Sequence, residues 1–380
     1  MLEIYLDNCA TTKVCNEAAD ACIKAMTEQY GNPSSLHKKG MEAENILTSA
    51  RKTAASILNC DPVCIIFTSG ATESNNMAIL GGVAARKRNG KTIVTSSVEH
   101  ASVEQSLAFL EKQGYTVKRI EPKSDGNFEA NDFLNAVDDD TVLLTFMMVN
   151  NELGTVFPYK TIIPAVRRKY PKLLIHMDAV QGFTKFPINI RKIDADLISF
   201  SGHKLYAPKG IGGLYIKKGV RIEPIIHGGS QERTLRSGTQ AVPLIAALDE
   251  ALKLCRDQSA NIQKTYCFCN DYLRNALQKI PEVVIHSPAN ASPHVLNISV
   301  PGVPSEIMLH FLEQHDIFIS SGSACSKGAK SVILKAYGIP EERIKSALRL
   351  SFSKDTTKEQ LDVFLETLEQ GIQRFKSVIR

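Results

Sequence analysis

The sequence predicts an α/β protein built on a mostly parallel central sheet, with a smaller α+β domain attached. From about residue 60 to 216, short runs rich in β-branched and aromatic residues alternate with stretches whose apolar residues recur at helical spacing. After residue 229 this alternation stops and a long helical pattern begins. The 380 residues also exceed what one hydrophobic core usually serves, so we expect two domains.

The alternating region contains seven predicted strands and three predicted crossover helices. The strands are expected at residues 64–67, 92–95, 116–120, 142–147, 173–176, 197–200 and 213–216. The helices are expected at residues 71–88, 101–113 and 162–168, each bounded by Gly, Asn, Lys or Pro. A helix between two strands carries the chain back to the same edge of the sheet, which makes the strands parallel.

The second part of the chain is predicted to contain a long helical stretch at residues 243–279, strands around residues 295–300, and a closing helix that ends near residue 380. Residues 1–12 precede the first strong helix and are expected to pack beside this part. We therefore predict a large domain at residues 13–255 and a small domain at residues 1–12 and 256–380.

Composition excludes several classes of protein. With 43% hydrophobic and 22% charged residues, the chain can bury a core. It does not show the depletion of hydrophobic residues that marks disordered chains. A net charge of +5 without basic clusters argues against dedicated nucleic-acid binding. No apolar run reaches the roughly 18 residues of a spanning helix, and Glu3 and Asp7 interrupt any N-terminal signal. We expect a cytoplasmic protein.

The nine cysteines are expected to be reduced thiols. Cys15 and Cys22 fall in a helical pattern and are predicted to be buried. The pairs at residues 60/64 and 267/269 lack the second ligand pair of a zinc site, so no metal is expected.

The candidate cofactor-binding residues lie at the ends of three predicted strands. Residues 68–73 open a helix, so the backbone N–H groups near Ala71 and the Thr72 hydroxyl could cradle a phosphate; the alternative is an ordinary N-cap by Ser69 or Thr72. Asp178 ends an apolar strand, where a carboxylate needs a cationic partner such as a protonated pyridine nitrogen, unless it caps a helix.

The third strand end is residues 199–204, where hydroxyl, imidazole and amine groups converge on a tight turn. Burial near a cationic ring would lower the basicity of Lys204, so that it could bind a carbonyl and later move protons. The alternative is a solvated surface lysine. Together with Asp178 and Thr72, Lys204 indicates a pyridoxal 5′-phosphate (PLP) site.

The sequence closely resembles the cysteine desulfurases of the NifS/IscS type, which are class V, fold-type I PLP enzymes of the aminotransferase superfamily. The resemblance runs nearly end to end. The motifs that carry it are at residues 5–12, 31–35, 68–73, 99–100, 149–152, 201–204, 236–239, 320–325 and 347–349.

This resemblance implies a role for each matching residue. It makes Lys204 the Schiff-base lysine and Asp178 the partner of the pyridinium nitrogen. Around the ring, it implies that Gln181 donates to the phenolate oxygen, that His100 stacks on the ring face and that Asn151 lies beside it. The implied phosphate contacts are Ala71, Thr72, Ser201 and His203, together with Thr239 from the other subunit of a homodimer. Asn32 and Arg349 would bind the substrate carboxylate.

Cys325 differs from the other cysteines because its flanks are small, polar and lysine-containing, which favours a thiolate on a mobile loop. The resemblance implies that L-cysteine becomes L-alanine while Cys325 takes the sulfur as a persulfide. His100 is the expected proton acceptor for the incoming thiol, and the proton could come either from Cys325 or from the substrate. The sulfur would then pass to an iron-sulfur scaffold or a tRNA-thiolation enzyme.

Alternative functions remain open at this point: a selenocysteine lyase, a PLP β-lyase that does not use Cys325, or a non-catalytic PLP-binding scaffold. The segment after Cys325 is shorter and more basic than in longer IscS-type proteins, which leaves the choice of acceptor open. Cys9 stands where relatives commonly carry Ala or Ser, and we interpret it as a packing variant.

Overall fold

The computed structural model describes residues 3–321 and 331–376. The strands are β1 (Ile4–Tyr5), β2 (Ile65–Thr68), β3 (Thr92–Ser96), β4 (Thr116–Ile120), β5 (Thr141–Met147), β6 (Leu174–Asp178), β7 (Leu197–Ser201), β8 (Gly212–Ile216), β9 (Val284–Ile285), β10 (Val295–Ser299), β11 (Ile317–Phe318), β12 (Ser320–Ser321) and β13 (Ala347–Ser351). The helices are α1 (Asn16–Thr27), α2 (Lys38–Leu58), α3 (Ala71–Asn76), α4 (Gly82–Ala84), α5 (Ala101–Lys112), α6 (Ala130–Ala136), α7 (Tyr159–Lys169), α8 (Ile190–Ile193), α9 (Val242–Asp257), α10 (Ser259–Leu277), α11 (Ser305–Glu313), α12 (Val332–Ala336), α13 (Glu341–Lys345) and α14 (Lys358–Lys376).

The central sheet has seven strands in the order β2-β8-β7-β6-β5-β3-β4. Strands β7, β6, β5, β3 and β4 are parallel to their neighbours in that order, whereas β8 runs antiparallel to both β2 and β7. The predicted α/β class with a mostly parallel sheet is confirmed, and each predicted strand lies within two residues of an observed one.

Apolar side chains on both faces of the sheet hold the helices in place. Alternate residues of β5 point to opposite faces, so Leu144 packs in one cluster with residues of α2, α7 and α9, whereas Leu143 packs in another with residues of α5. Because both faces are covered, the strands carry continuous apolar runs rather than an alternating pattern.

Two predicted helices are interrupted. The helix expected at residues 71–88 contains a π-helical turn at Met77–Gly81 between α3 and α4. The stretch expected at residues 243–279 is two helices, α9 and α10, which meet at Gln258. Neither interruption has a Pro or a positive-φ Gly within it, so the apolar spacing continues through both of them.

The C-terminal part forms a second, antiparallel sheet in the order β12-β13-β10-β9. The N-terminal strand β1 pairs in parallel with β11, and Ile4 and Leu6 belong to the same apolar cluster as residues of α10, α11 and α14. The domain boundaries near residues 12 and 255 remain a prediction. None of the helices within the described residues is long and apolar enough to cross a membrane.

Candidate active site

The candidate site lies at the carboxyl ends of the parallel strands, where α/β sheets bind ligands. Asp178 is the last residue of β6, and Ser201 is the last residue of β7. Lys204 follows in the 3₁₀ turn Gly202–Lys204. His100 lies beyond β3 and is the N-cap of α5. The sheet therefore delivers these side chains to one edge.

The Asp178 carboxylate is buried, with 5% of the residue exposed. Its Oδ2 accepts a hydrogen bond from Asn75 Nδ2 at 2.8 Å, and its Oδ1 accepts from the Val180 N–H at 2.9 Å. Both donors are neutral, and no Lys, Arg or His side chain of the described residues forms an ion pair with Asp178. A buried carboxylate with neutral partners can still take a cationic ligand group.

A hydrogen-bonded chain links Asp178 to His100. Asn75 Nδ2 also donates to Ser102 Oγ at 2.9 Å, and Ser102 Oγ lies 2.9 Å from His100 Nδ1. The Ser102 N–H donates to the same Nδ1 at 3.1 Å, so Nδ1 is an acceptor and the proton of the neutral ring is on Nε2. Burial lowers the pKa of His100, which favours this neutral form.

The half-buried Lys204 places its amine beside the N-terminal segment. Its Nζ donates to the carbonyl oxygens of Cys9 at 2.5 Å and Ala10 at 2.7 Å. Burial, together with the positive charges of Arg349 and Lys185, lowers the pKa of Lys204 to about 8. The amine is thus far more easily deprotonated than a solvated lysine, as a carbonyl-binding nucleophile must be.

We expect the rate at which added PLP combines with the cofactor-free protein to rise roughly tenfold between pH 7 and pH 9 and then level off. The free amine is the reacting form, and its share rises with pH through the pKa of about 8 and is nearly complete about one pH unit above it. Stopped-flow absorbance of the visible band would measure this rate. A rate that climbed steadily beyond pH 10 would contradict the shifted pKa.

The proposed phosphate cradle is the N-terminus of α3. Its N-cap is Gly70, at φ 153°, so neither Ser69 nor Thr72 caps this helix. The first N–H groups of a helix, here those of Ala71 and Thr72, have no intrahelical acceptor. Ser201 lies against this turn, because a side chain at Gly70 would approach Ser201 Oγ to 3.9 Å.

The other two predicted phosphate contacts, His203 and Thr239, lie in different surroundings. His203 Nδ1 lies 3.3 Å from Thr11 Oγ1, and burial lowers the pKa of His203 to about 4, so this ring is neutral. Thr239 is exposed. The neighbouring Arg236 forms an ion pair of 2.8 Å with Glu73 in the first turn of α3, which ties the two segments together.

Arg349 lies on β13 and is buried, with 5% of the residue exposed. One terminal nitrogen donates to Asp7 Oδ1 at 2.8 Å and the other to the Asn151 carbonyl at 3.1 Å. Arg349 Nε and Asn151 Oδ1 are buried without a hydrogen-bond partner among the described residues. Asn32, by contrast, is exposed, and its side chain accepts from the Ser34 N–H rather than bonding to Arg349.

Gln181 lies beside Lys204. Its Nε2 donates at 3.1 Å to the Cys9 carbonyl, the same acceptor that Lys204 uses. Its Oε1 lies 3.3 Å from His294 Nε2.

Cys325 and its neighbours at residues 322–330 lie outside the described residues. Several of the described cysteines are poor nucleophiles. Burial raises the pKa of the Cys60 and Cys269 thiols to about 12 and that of Cys255 to about 11. Cys15 is buried as predicted, whereas Cys22 is only half-buried.

The profile of the Aminotransferase class-V family matches residues 4–364. The chain belongs to this family. A protein of Methanosarcina thermophila named "Cysteine desulfurase IscS" is 38% identical to this class-V chain over 378 residues, covering 99% of it and 93% of the relative. The predicted membership of the cysteine desulfurases, and with it a PLP-dependent enzyme, is confirmed.

Solved structures of class-V proteins share the fold. A "NifS-like protein" superimposes with a TM-score of 0.92 at 34% identity, covering 97% of this chain and 99% of its own. "SspA in complex with cysteine" superimposes with a TM-score of 0.83 at 32% identity, covering 93% of this chain and 100% of its own.

The residues of this class-V chain fit PLP. In the part of the chain that the structure describes, Asp178 has only neutral hydrogen-bond partners; Lys204 has a low pKa, and the N-terminus of α3 opens on the same edge of the sheet. A carboxylate of this kind suits a pyridinium nitrogen, an amine of low pKa suits an aldehyde, and the start of a helix suits a phosphate.

Sequence reasoning missed three residues of the site. Asn75 has a recognisable signal, since it lies one helical turn after Thr72. Ser102 lies two residues after His100, where an N-cap acceptor is expected to bond to it. His294 has no such signal, because it reaches Gln181 from 113 positions away.

Proposed function

We propose that this enzyme converts L-cysteine to L-alanine and keeps the sulfur as a persulfide on Cys325 before a protein acceptor takes it. The observation that carries the proposal is the placement of the half-buried Lys204 beside the buried Asp178 and Arg349 at one edge of the sheet. These three groups suit the aldehyde and ring nitrogen of the cofactor and the carboxylate of an amino acid.

PLP would be held by Lys204, by Asp178 at the ring nitrogen, by Gln181, and by the start of α3 at the phosphate. When bound, PLP supplies an electron sink that makes the α-proton of the amino acid acidic and allows its carbon-sulfur bond to break.

Arg349 would bind the substrate carboxylate. Asp7 occupies one edge of the guanidinium and the Asn151 carbonyl occupies another, so the plane of the guanidinium is fixed. Its Nε, which has no hydrogen-bond partner among the described residues, remains for a ligand. The unpartnered Asn151 Oδ1 lies in the same region and would accept from the substrate or the cofactor.

Two side chains would move protons. Lys204, once released, takes the α-proton because its amine is largely unprotonated above pH 8. His100 would take the thiol proton at Nε2. For this its resting proton must leave Nε2, and Nδ1 can take it only by giving up the bond from the Ser102 N–H and donating to Ser102 Oγ, 2.9 Å away.

The sulfur step balances without an oxidant. The Cys325 thiolate attacks the substrate sulfur, a sulfur-sulfur bond forms, the carbon-sulfur bond breaks, and its electron pair stays with the three-carbon fragment that becomes alanine. One cysteine and one enzyme thiol thus give one alanine and one persulfide.

We expect Asp178→Asn to bind PLP but to lower kcat/KM roughly a hundredfold. Asparagine keeps the size and loses the charge, and breaking a buried charge pair costs about 3 kcal/mol. The fold should tolerate the change, because Asn75 has a buried Oδ1 without a partner that can turn to accept from the new amide. Steady-state alanine formation measures the loss; a variant as fast as the wild type would exclude Asp178 as the ring partner.

The same proposal includes a homodimer in which Thr239 contacts the phosphate of the other subunit. Its support is that Thr239 is exposed, and that an open groove of about 520 Å³ beside Thr72 and His100 is lined by apolar Leu80 and the half-exposed Phe109.

A cytoplasmic location is also proposed, as is delivery of the sulfur to an iron-sulfur scaffold or a tRNA-thiolation enzyme.

The function is tested with the purified PLP-loaded protein, L-cysteine and a thiol reductant. We expect equal amounts of alanine and sulfide, and without the reductant about one persulfide per chain. Pyruvate and ammonia in place of alanine would indicate a β-lyase, and no product at all would indicate a scaffold. Faster turnover of selenocysteine with no persulfide would favour a selenocysteine lyase.

A further inference from the structure

A buried hydrogen-bond chain runs from the second sheet to the cofactor side of Gln181. Ser292 and His294 precede β10, and they are 1% and 2% exposed; Gln181 is 5% exposed. Ser292 Oγ lies 2.6 Å from His294 Nδ1, His294 Nε2 lies 3.3 Å from Gln181 Oε1, and Gln181 Nε2 lies 3.1 Å from the Cys9 carbonyl.

The chemistry of each group fixes the direction of every bond in this chain. The Cys9 carbonyl can only accept, so the Gln181 atom facing it must be the amide nitrogen. The Gln181 oxygen therefore faces His294 and must accept, which puts the imidazole proton on Nε2. His294 Nδ1 is then an acceptor for the Ser292 hydroxyl. Burial holds the pKa of His294 well below its usual value, so the ring is neutral and this single tautomer is retained.

Without His294, the bond to the Cys9 carbonyl alone would hold the Gln181 amide in this orientation. The two ends of a carboxamide have nearly the same shape, and only their hydrogen-bond partners distinguish them. An amide nitrogen carries two hydrogens, and the Cys9 carbonyl takes one, so the second is available to a ligand. Turning the amide over would present an oxygen where that donor stood.

We propose that His294 is a positioning residue for the cofactor: by donating to Gln181 Oε1 it keeps the amide nitrogen of Gln181 directed toward the cofactor's ring oxygen. This inference rests on the proposed function. His294 belongs to the part of the chain that forms the second sheet, whereas Gln181 follows β6 of the central sheet, so the contact also makes the electronic state of the cofactor depend on how these two parts pack.

The test is a pH titration of the visible absorbance of the PLP-loaded protein. A lost donor leaves the ring oxygen more basic, so the absorbance transition of the cofactor should move to higher pH. We expect His294→Phe to raise the midpoint by about half to one pH unit, which is what one neutral hydrogen bond contributes. His294→Gln, which can still donate, should restore the midpoint of the wild type.

His286→Phe is the matched control. His286 is another histidine beside β10, and its Nε2 lies 2.7 Å from Ser299 Oγ, with no bond to Gln181. This variant should titrate as the wild type does. A shift as large in His286→Phe as in His294→Phe would overturn the proposal, because a general loosening of the sheet would then explain both.

A double variant distinguishes an effect through Gln181 from an independent one. Gln181→Leu should raise the midpoint by a similar amount, and adding His294→Phe to it should cause no further shift. An additive shift, or a His294→Phe midpoint equal to that of the wild type, would overturn the proposal. If His294→Phe does not fold, Ser292→Ala takes its place. This change removes the hydroxyl donor to His294 Nδ1, so that Nδ1 can carry the imidazole proton. An unshifted midpoint in this variant would also overturn the proposal.

Failure of this inference differs from failure of the proposed function. If the wild-type protein shows no visible band with PLP, the function is wrong. If the band forms and His294→Phe leaves its titration unchanged, only the role of His294 is wrong.

Discussion

Lys204→Ala is expected to abolish the visible absorbance band of the PLP-loaded protein and to lower alanine formation by about 10⁴-fold. The amine has two tasks, binding the cofactor aldehyde and moving the α-proton, and a positioned acid-base group contributes up to about that factor by itself. The measurements are absorbance after gel filtration with PLP and alanine production from L-cysteine.

Lys185→Met is the matched control for Lys204→Ala. Lys185 is a second half-buried lysine of the site, whose amine lies 3.5 Å from the Lys204 carbonyl and whose pKa is also lowered by burial. This variant should keep the absorbance band. Borohydride reduction of the wild-type holoenzyme followed by peptide mapping should find the pyridoxyl group on Lys204, and finding it on Lys185 would refute the assignment.

Several charged side chains near Lys204 act on the pKa of its amine. Arg349 and Lys185 are positive and lower the pKa of Lys204, whereas Asp7 is negative and opposes them. Asp7 is itself bonded to Arg349 at 2.8 Å, so much of its charge is already paired. Burial is the main cause of the low pKa of Lys204, and the nearby charges act on it in opposite directions.

The sheet and the main site groups could be predicted from the sequence for a physical reason. Buried strands produce apolar runs of five to seven residues, and a polar residue at the end of such a run, as Asp178 is, stands out against them. Because carboxyl ends of parallel strands meet at one edge, Asp178 and Lys204 could be placed together before any coordinates were known.

Other features leave no local pattern in the sequence. The direction of β8 cannot be read from a fully buried strand, since Gly212–Ile216 has the same composition whichever way it runs. The break at Gln258 depends on packing, because no Gly or Pro marks it. The orientation of the Gln181 amide depends on His294, and only tertiary structure brings those two side chains together.

The interpretation of Cys9 as a packing variant also needs a structural refinement. The residue is 2% exposed, as packing requires, but its carbonyl accepts from both Lys204 and Gln181. Its backbone therefore belongs to the cofactor site, whatever its side chain does. Any experiment on the sulfur-carrying thiol must account for both Cys9 and Cys325.

Cys325→Ser is expected to abolish the enzyme persulfide and to lower alanine formation at least about 10²-fold while leaving the visible spectrum of bound PLP unchanged. A serine oxygen is a poor nucleophile toward sulfur and cannot form a persulfide, but it does not alter the groups that hold the cofactor. Cyanolysis measures the persulfide, and mass-spectrometric mapping after one turnover locates it.

Cys267→Ser is the control for Cys325→Ser, because Cys267 is an exposed thiol on α10, away from the site, and its loss should change neither product. The two variants separate the persulfide mechanism from its rivals. If Cys325→Ser still released sulfide from cysteine at the wild-type rate, a β-lyase would be indicated. If instead the variant carried its persulfide on Cys9, the buried thiol beside Lys204 would be the true carrier, and attack on the substrate would come from inside the site rather than from the segment at residues 322–330.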